Sequence, residues 1–123
     1  MKRTKLQGMT VYQPIQRFTA IGIEQDQALF KRQHTRFNRL FDEMVAIEDE
    51  LKRRDGDQRR QLLSLYNHPN AQVRLNAAKA TLAVAPEPAR QALQTIADSR
   101  EYPQAGNAGM SLDNLELGIF KPK

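Results

Sequence analysis

The spacing of apolar residues is the feature that most limits how this chain can fold. Beyond residue 25 no stretch alternates apolar and polar residues with β-branched enrichment, whereas apolar residues recur at intervals of three and four. The longest such pattern predicts one amphipathic helix from Glu24 to Arg54, with Ile47 flanking its apolar stripe. The chain is therefore predicted to be all-α. That stripe contains Phe37, Leu40, Phe41, Met44 and Leu51, with Glu48 as a polar interruption.

The opposite face of this long helix is predicted to face solvent. It carries acid-to-base pairs four residues apart, each of which stabilises a helix by about 0.2–0.5 kcal/mol. Because an ion-paired carboxylate stays ionised, these acids are interpreted as surface groups and not as general acids or bases. The pairs are Glu48/Lys52, Asp49/Arg53 and Glu50/Arg54, and the same interpretation covers Asp42 and Glu43.

Turn and capping residues divide the rest of the chain into further helices. Gly56 and Asp57 predict a helix end followed by a new N-cap, and Pro69 with Asn70 predicts a stop and another start. Counting all segments gives five or six helices. The predicted segments are a short helix after Pro14 ending near Gly22, Gln58–Tyr66, Gln72–Ala85, a helix after Pro86-Glu87-Pro88 ending near Ser99, and a last one starting between Pro103 and Ser111 with Ala105, Ala108, Leu112, Leu115 and Ile119 on one face.

Length and composition suit one compact domain. The chain has 123 residues, 40% of them hydrophobic and 27% charged, and no cysteine. We expect a single helical domain over residues 11–119, between a flexible basic tail at residues 1–10 and a C-terminal tail at residues 120–123. Disulfides, thiolate metal sites and cysteine nucleophiles are excluded. Without an apolar run of membrane-spanning length or a signal peptide, the cytoplasm is the expected location.

The segment from Asn67 to Ala80 resembles the second helix of a HEAT-type repeat. In that pattern a proline shapes the turn, a Val-Arg pair follows, and paired small residues pack inward. The resemblance implies that the arginine ties neighbouring repeats together and that stacked helical pairs, over residues 57–85 and 86–118, bury one another's apolar faces. The residues that match are Pro69, Val73, Arg74, Ala77 and Ala78.

A wider pattern is similar to that of a small bacterial family of uncharacterised proteins with an armadillo/HEAT-like fold. It comprises Asn38-Arg39-Leu40, Ile47 to Leu51, His68-Pro69-Asn70, Ala105 to Met110 and Leu112. This resemblance implies a right-handed armadillo/HEAT-like stack of about five or six antiparallel helices, a short α-α superhelix. It implies no activity. Some members look similar to the small helical immunity proteins that accompany bacterial toxins, which is an analogy between folds.

Net charge suggests a second class of function. The chain carries +5, but residues 1–23 hold four basic and no acidic residues, so residues 24–123 carry only +1. Nucleic-acid-binding domains usually concentrate basic residues on one face of the fold. Here the excess lies at the N-terminal end, so nucleic-acid binding is the alternative and not the leading hypothesis. In that alternative the chain has an accessory nucleic-acid-binding role and uses the basic N-terminal segment with Arg17, Arg32, Arg36 and Arg39.

The leading hypothesis is a non-enzymatic module that binds another protein, with an immunity-type role toward a toxin as one form of it. The two histidines, His34 and His68, have no spacing typical of a metal site, and no nucleophile–base arrangement is present. No cofactor is expected. Asn38 and Arg39, beside the apolar stripe of the long helix, are the candidate partner contacts.

Overall fold

A computed structural model describes residues 11–123, so the predicted basic tail at residues 1–10 lies outside the described residues. Between residues 11 and 123 the chain forms six helices and no strand, which confirms the all-α prediction. They are α1 (Tyr12–Phe30), α2 (His34–Arg53), a 3₁₀ helix (Gln58–Asn67), α3 (Ala71–Ala80), α4 (Pro86–Asp98) and α5 (Gln104–Glu116). None of the helices described is long and apolar enough to cross a lipid bilayer.

The predicted helix from Glu24 to Arg54 is wrong, as is the predicted short helix ending near Gly22. Helix α1 runs through Gly22, and the chain turns back at residues 31–33. Arg32 takes a left-handed backbone conformation (φ 56°), and the Gln33 amide donates to the Ala28 carbonyl at 2.8 Å, which closes α1. Since α1 and α2 each have an apolar face, folding back lets each cover the other.

The buried face of α2 keeps Leu40, Met44 and Leu51 of the predicted stripe but includes Ile47, the residue predicted to flank it. Its buried apolar residues are Leu40, Met44, Ile47 and Leu51, spaced four, three and four apart, whereas Phe41 is 46% exposed. Glu50 is only 4% exposed, so the predicted solvated face is wrong at that position. The Glu50 carboxylate accepts from Arg54 at 3.0 Å and lies 3.6 Å from Arg53.

This buried carboxylate makes a prediction about stability. Removing one partner of a buried ion pair leaves an uncompensated charge, at a typical cost of about 3–5 kcal/mol. Because the Arg54 side chain is itself partly exposed, we expect a loss below that range: Arg54→Met should lower the free energy of unfolding by about 2 kcal/mol. The matched control is Arg53→Met, which removes a longer contact and should cost under about 0.5 kcal/mol. Equal losses in urea unfolding would contradict this ranking.

The chain is divided into two compact units, the first ending at Gln61 and the second starting at Leu62. The first contains the α1–α2 hairpin. In the second, α3, α4 and α5 enclose an apolar core against which Tyr66, Leu112 and Leu115 pack. The buried members of that core are Leu75, Ala78, Leu82, Ala89, Leu93, Ile96 and Ala108.

Local signals explain where the helices of the second unit begin. The Asn70 side chain accepts from the amides of Gln72 (2.9 Å) and Val73 (3.2 Å), which confirms the predicted cap. Helix α4 begins at Pro86, where a proline needs no amide hydrogen bond, and α5 begins at Gln104, inside the predicted interval.

Two helix ends in the second unit differ from prediction. Helix α3 ends at Ala80 and not at Ala85: residues 81–84 form a turn, and Ala85 takes a non-helical conformation (φ −148°, ψ 66°), as is usual for a residue directly before a proline. Helix α5 ends at Glu116, and Gly118 follows in a left-handed conformation (φ 72°). Ile119 therefore lies beyond the helix and is exposed.

Candidate partner-binding groove

The register of the α1–α2 hairpin brings distant charges together. Arg17 and Glu43 are each 13 residues from Phe30, and Glu24 and Arg36 are each six residues from it. In an antiparallel pair of helices such positions lie opposite each other. The side chains do meet: Arg17 binds Glu43, and Arg36 lies 3.7 Å from Glu24.

Arg17 holds two carboxylates at once. Its Nε and Nη2 donate to the two oxygens of Glu43 at 2.5 and 2.7 Å, and its Nη1 donates to Glu24 at 2.8 Å. A planar guanidinium suits such two-pronged binding because its N–H groups point in fixed directions. Arg17 thus links α1 to α2 and fixes the positions of both acids.

The ion pair shifts the ionisation of both partners. Hydrogen bonds from Arg17 lower the pKa of Glu43 below 4.5, although burial acts in the opposite direction. The pKa of Arg17 is raised, chiefly by the same hydrogen bonds to Glu43. Both groups stay charged at neutral pH.

A pH dependence follows from the lowered pKa of Glu43. The ionised carboxylate stabilises the fold above the ordinary glutamate pKa of 4.5, and this contribution is lost as the pH falls through the lowered folded-state pKa. We expect Glu43→Gln to cost about 1 kcal/mol at pH 7 and less at about pH 3, measured by urea unfolding. Asp42→Asn, at an exposed position outside this ion pair, is the control and should leave stability nearly unchanged. A Glu43→Gln deficit that is as large in acid would contradict the assigned role.

A groove of about 550 Å³ lies beside this ion pair, within the first unit. Leu40 and Ala46 supply its apolar lining, and the remaining lining is charged. Arg39 and Asp42 are exposed and form no ion pair with any residue between 11 and 123. The charged residues lining the groove are Arg17, Glu24, Arg36, Arg39, Asp42 and Glu43.

The two candidate partner contacts separate in the structure. Arg39 lines the groove, whereas Asn38 is exposed on α2 but does not line it. Asn38 and the half-exposed Phe41 are three residues apart and lie on one side of the helix. Of the arginines in the nucleic-acid hypothesis, Arg32 lies outside the groove, in the turn between α1 and α2.

The repeat-motif residues lie in the second unit. Val73, Ala77 and Ala78 are fully buried on α3, and Pro69 lies in the preceding turn. Arg74 Nη2 donates to Glu101 at 2.8 Å. Arg74 also lines a second, smaller cavity of about 260 Å³, together with Tyr66, Asn67, Pro88, Gln91, Ala92, Thr95 and Ile96.

The histidines take separate local roles. His34 is the exposed first residue of α2, and the Nδ1 atom of His68 accepts from the Asn70 amide at 3.0 Å. In the part of the chain that is described, no three His, Asp or Glu side chains converge in a way that could hold a metal ion.

Sequence reasoning missed the partner of Glu43. It assigned Arg17 to a basic N-terminal segment and gave Glu43 a basic partner one turn away, but the two residues pair across 26 positions. No local spacing signals this contact. The pair becomes apparent only when α1 and α2 lie against each other in the folded structure.

The sequence matches the family model of a domain of unknown function, DUF2019, over residues 13–116. The fold is similar to the crystal structure of the protein RPA1889 from Rhodopseudomonas palustris CGA009, with a TM-score of 0.94 and 57% sequence identity. That similarity covers 96% of this chain and 98% of the other. No curated protein matches the sequence.

Proposed function

The chain belongs to the DUF2019 family, whose function is unknown, and we propose that it is a non-enzymatic module that binds a partner protein at the groove between α1 and α2. One observation carries this proposal. Arg39 is exposed at the groove without an ion-pair partner among residues 11–123, while the charges beside it are held in place by Arg17.

Arg17 supports the proposal by making the groove rigid before binding. Because its three hydrogen bonds fix Glu24 and Glu43, these side chains lose little rotamer freedom when a partner docks. Arg39 and Asp42 are then the charges available to a partner.

The groove presents a side chain of a type that contributes strongly to protein–protein binding. Arginine and aromatic residues are enriched among the residues that contribute most to such binding. Arg39 lines the groove, whereas Asn38 and the half-exposed Phe41 lie about 100° and 200° around α2 from it and do not line the groove. A partner seated in the groove therefore contacts Arg39 and not these two side chains.

The balance of charge favours a protein over a nucleic acid. Three arginines line the groove together with three carboxylates, so phosphates approaching Arg39 also meet Asp42, Glu24 and Glu43. We therefore expect no binding of duplex DNA or RNA at low salt. Binding that weakens steeply with added salt would favour the nucleic-acid alternative.

The proposal also specifies how the helices are arranged and which class of partner they bind. We propose that the helices stack in an armadillo/HEAT-like superhelix, the architecture that repeat proteins use to present binding surfaces. By analogy with small helical immunity proteins, one class of partner is a bacterial toxin that the chain neutralises in the cytoplasm. Co-expression with a toxin encoded next to it tests this form, since protection of the cell is the expected result.

Site-specific photo-cross-linking tests the groove directly and leaves Arg39 in place. A cross-linking amino acid replaces Asp42, an exposed residue that lines the groove, in one variant and Asp49, an exposed α2 residue outside the groove, in the other. We expect one protein to be cross-linked in cells from position 42 and not from position 49. The same proteins cross-linked from both positions, or none from position 42, would contradict a binding site at the groove.

A further inference from the structure

The turn between α1 and α2 places an aromatic ring in solvent. Phe30, the last residue of α1, is 90% exposed, the highest value of any large apolar side chain between residues 11 and 123. The residues that follow it, from Lys31 to Thr35, are all exposed as well. We term residues 30–35 the hairpin tip. Since single exposed apolar residues are common on protein surfaces, the neighbours of Phe30 decide what this ring can bind.

The neighbours of Phe30 are basic. Lys31 and Arg32 lie in the turn itself, and neither forms an ion pair with any residue between 11 and 123. Arg32 takes a left-handed backbone conformation, which suits glycine or asparagine better, so the chain has a cation where the turn itself favours a small neutral residue. Residues 27–41 contain no acidic residue, and their basic residues are Lys31, Arg32, Arg36 and Arg39.

The acidic residues of the hairpin lie farther from its tip. On α1 the nearest is Asp26, which is about 6 Å from Phe30 along the helix axis. On α2 the nearest is Asp42, about 12 Å beyond the start of that helix. Glu24 lies between these two heights, but Arg17 donates to it at 2.8 Å and offsets its charge. A flat surface that approaches the hairpin tip therefore meets positive charge first.

We propose that the hairpin tip binds the surface of an anionic lipid membrane, with the Phe30 ring at the boundary between headgroups and acyl chains and with Lys31 and Arg32 at the lipid phosphates. Peripheral binding of this kind combines buried apolar area with attraction to negatively charged lipids. With the hairpin standing on its tip, Arg36 and Arg39 lie within about 10 Å of the surface, which is about one Debye length, and add to the attraction. This inference does not depend on a partner in the groove.

The shape of the hairpin tip favours a membrane over a single-stranded nucleic acid. Proteins that bind single strands combine a basic groove with several aromatic rings on which successive bases stack. The tip offers one exposed ring, and Phe30 does not line the groove between α1 and α2. A lipid surface needs no matching pocket or second ring, because a single protruding side chain can enter it.

The first test is whether the ring at position 30 enters the bilayer. The chain has no tryptophan, so Phe30→Trp gives the full chain a single fluorescent reporter. With vesicles of phosphatidylglycerol and phosphatidylcholine in equal amounts, we expect its emission to shift to the blue and to be quenched by brominated acyl chains. Vesicles of phosphatidylcholine alone should have no effect. Tyr102→Trp, at an aromatic residue of the second unit that is 71% exposed, is the control and should not respond. An unchanged emission from position 30, or an equal response from position 102, would overturn the proposal.

The second test is the part played by the two cations of the turn. In co-sedimentation with the same anionic vesicles, Lys31→Gln combined with Arg32→Gln should weaken binding about 30-fold, since each basic residue near an anionic surface contributes about 1 kcal/mol. The control combines Arg90→Gln with Lys121→Gln, which removes the same charge at exposed positions of the second unit and should weaken binding by less than about threefold. All four positions are exposed, so the melting temperature should not change. Equal losses in the two double variants would overturn binding through the hairpin tip.

The third test compares the membrane with a nucleic acid. Single-stranded oligothymidine, added to Phe30→Trp at the same ionic strength, should leave the emission unchanged, because the tip has no groove to hold the strand. If the oligonucleotide quenched the emission and the anionic vesicles left it unchanged, the hairpin tip would be a nucleic-acid site and the membrane proposal would be wrong.

Discussion

Val73→Asp unfolds the second helical unit: this is the largest effect on stability that we expect from one substitution. Val73 is fully buried on α3, and an aspartate there places a carboxylate without a partner in an apolar environment. The cost is several kcal/mol, against a total stability of about 5–15 kcal/mol for a domain.

One effect opposes this cost. Position 73 is in the first turn of α3, where an acidic side chain interacts favourably with the helix dipole, by about 0.3–1 kcal/mol. Burial dominates because its cost is several times larger. Urea unfolding followed by far-UV circular dichroism measures the loss. Arg90→Asp, at an exposed position of α4, is the control and should change stability by no more than about 0.5 kcal/mol. If Val73→Asp unfolded at the same urea concentration as the wild type, position 73 would tolerate a charge, and its assigned place in the apolar core would be contradicted.

Local chemistry made much of the helical architecture predictable. Asn70 caps α3 because its side chain can accept from two free amides, and Pro86 begins α4 because the first helical position needs no N–H. Gly56 takes a left-handed conformation (φ 78°) just after α2, as expected of a glycine that follows a helix end, because it has no Cβ to disfavour positive φ. In each case the residue and its immediate neighbours in the sequence are enough to predict where the helix begins or ends.

The turn between α1 and α2 could not be predicted in this way. Residues 31–33 contain no glycine or proline, and Arg32 adopts the left-handed conformation that ends α1. The hairpin is stabilised by packing between the apolar faces of α1 and α2. A local sequence pattern does not show which faces will pack together. The same limit explains Glu50: its spacing from Arg54 suggests a surface pair, and only the packing around α2 buries it.

Prediction of the candidate site was also partial. The place of Arg39 beside an apolar stripe makes it a candidate contact, and it does line a groove. The same reasoning selects Asn38, which lies outside that groove because adjacent residues of a helix point about 100° apart. The acids that share the groove with Arg39 come from both helices, so they become neighbours only after the hairpin forms.

Reversing the charge of Arg39 is expected to have the largest effect on function. In Arg39→Glu the partner loses its contact to the guanidinium and meets a new carboxylate beside Asp42 and Glu43. Central arginines of protein interfaces often contribute about 2 kcal/mol or more, which is about 30-fold in affinity, and the repulsion from the new carboxylate adds to that loss, so we expect the affinity to fall by about 100-fold. Stability should change little because Arg39 is exposed.

The matched control is Arg32→Glu. It makes the same change in net charge at an exposed arginine of the first unit that does not line the groove. A partner attracted only by overall charge would lose affinity for both variants to a similar extent, and so would a nucleic acid.

Isothermal titration calorimetry with the purified protein that cross-links to position 42 gives the most direct test of the proposed function. We expect the Kd of Arg39→Glu to rise about 100-fold and that of Arg32→Glu to rise less than about threefold. Equal affinities of the two variants for that protein would contradict partner binding at the groove.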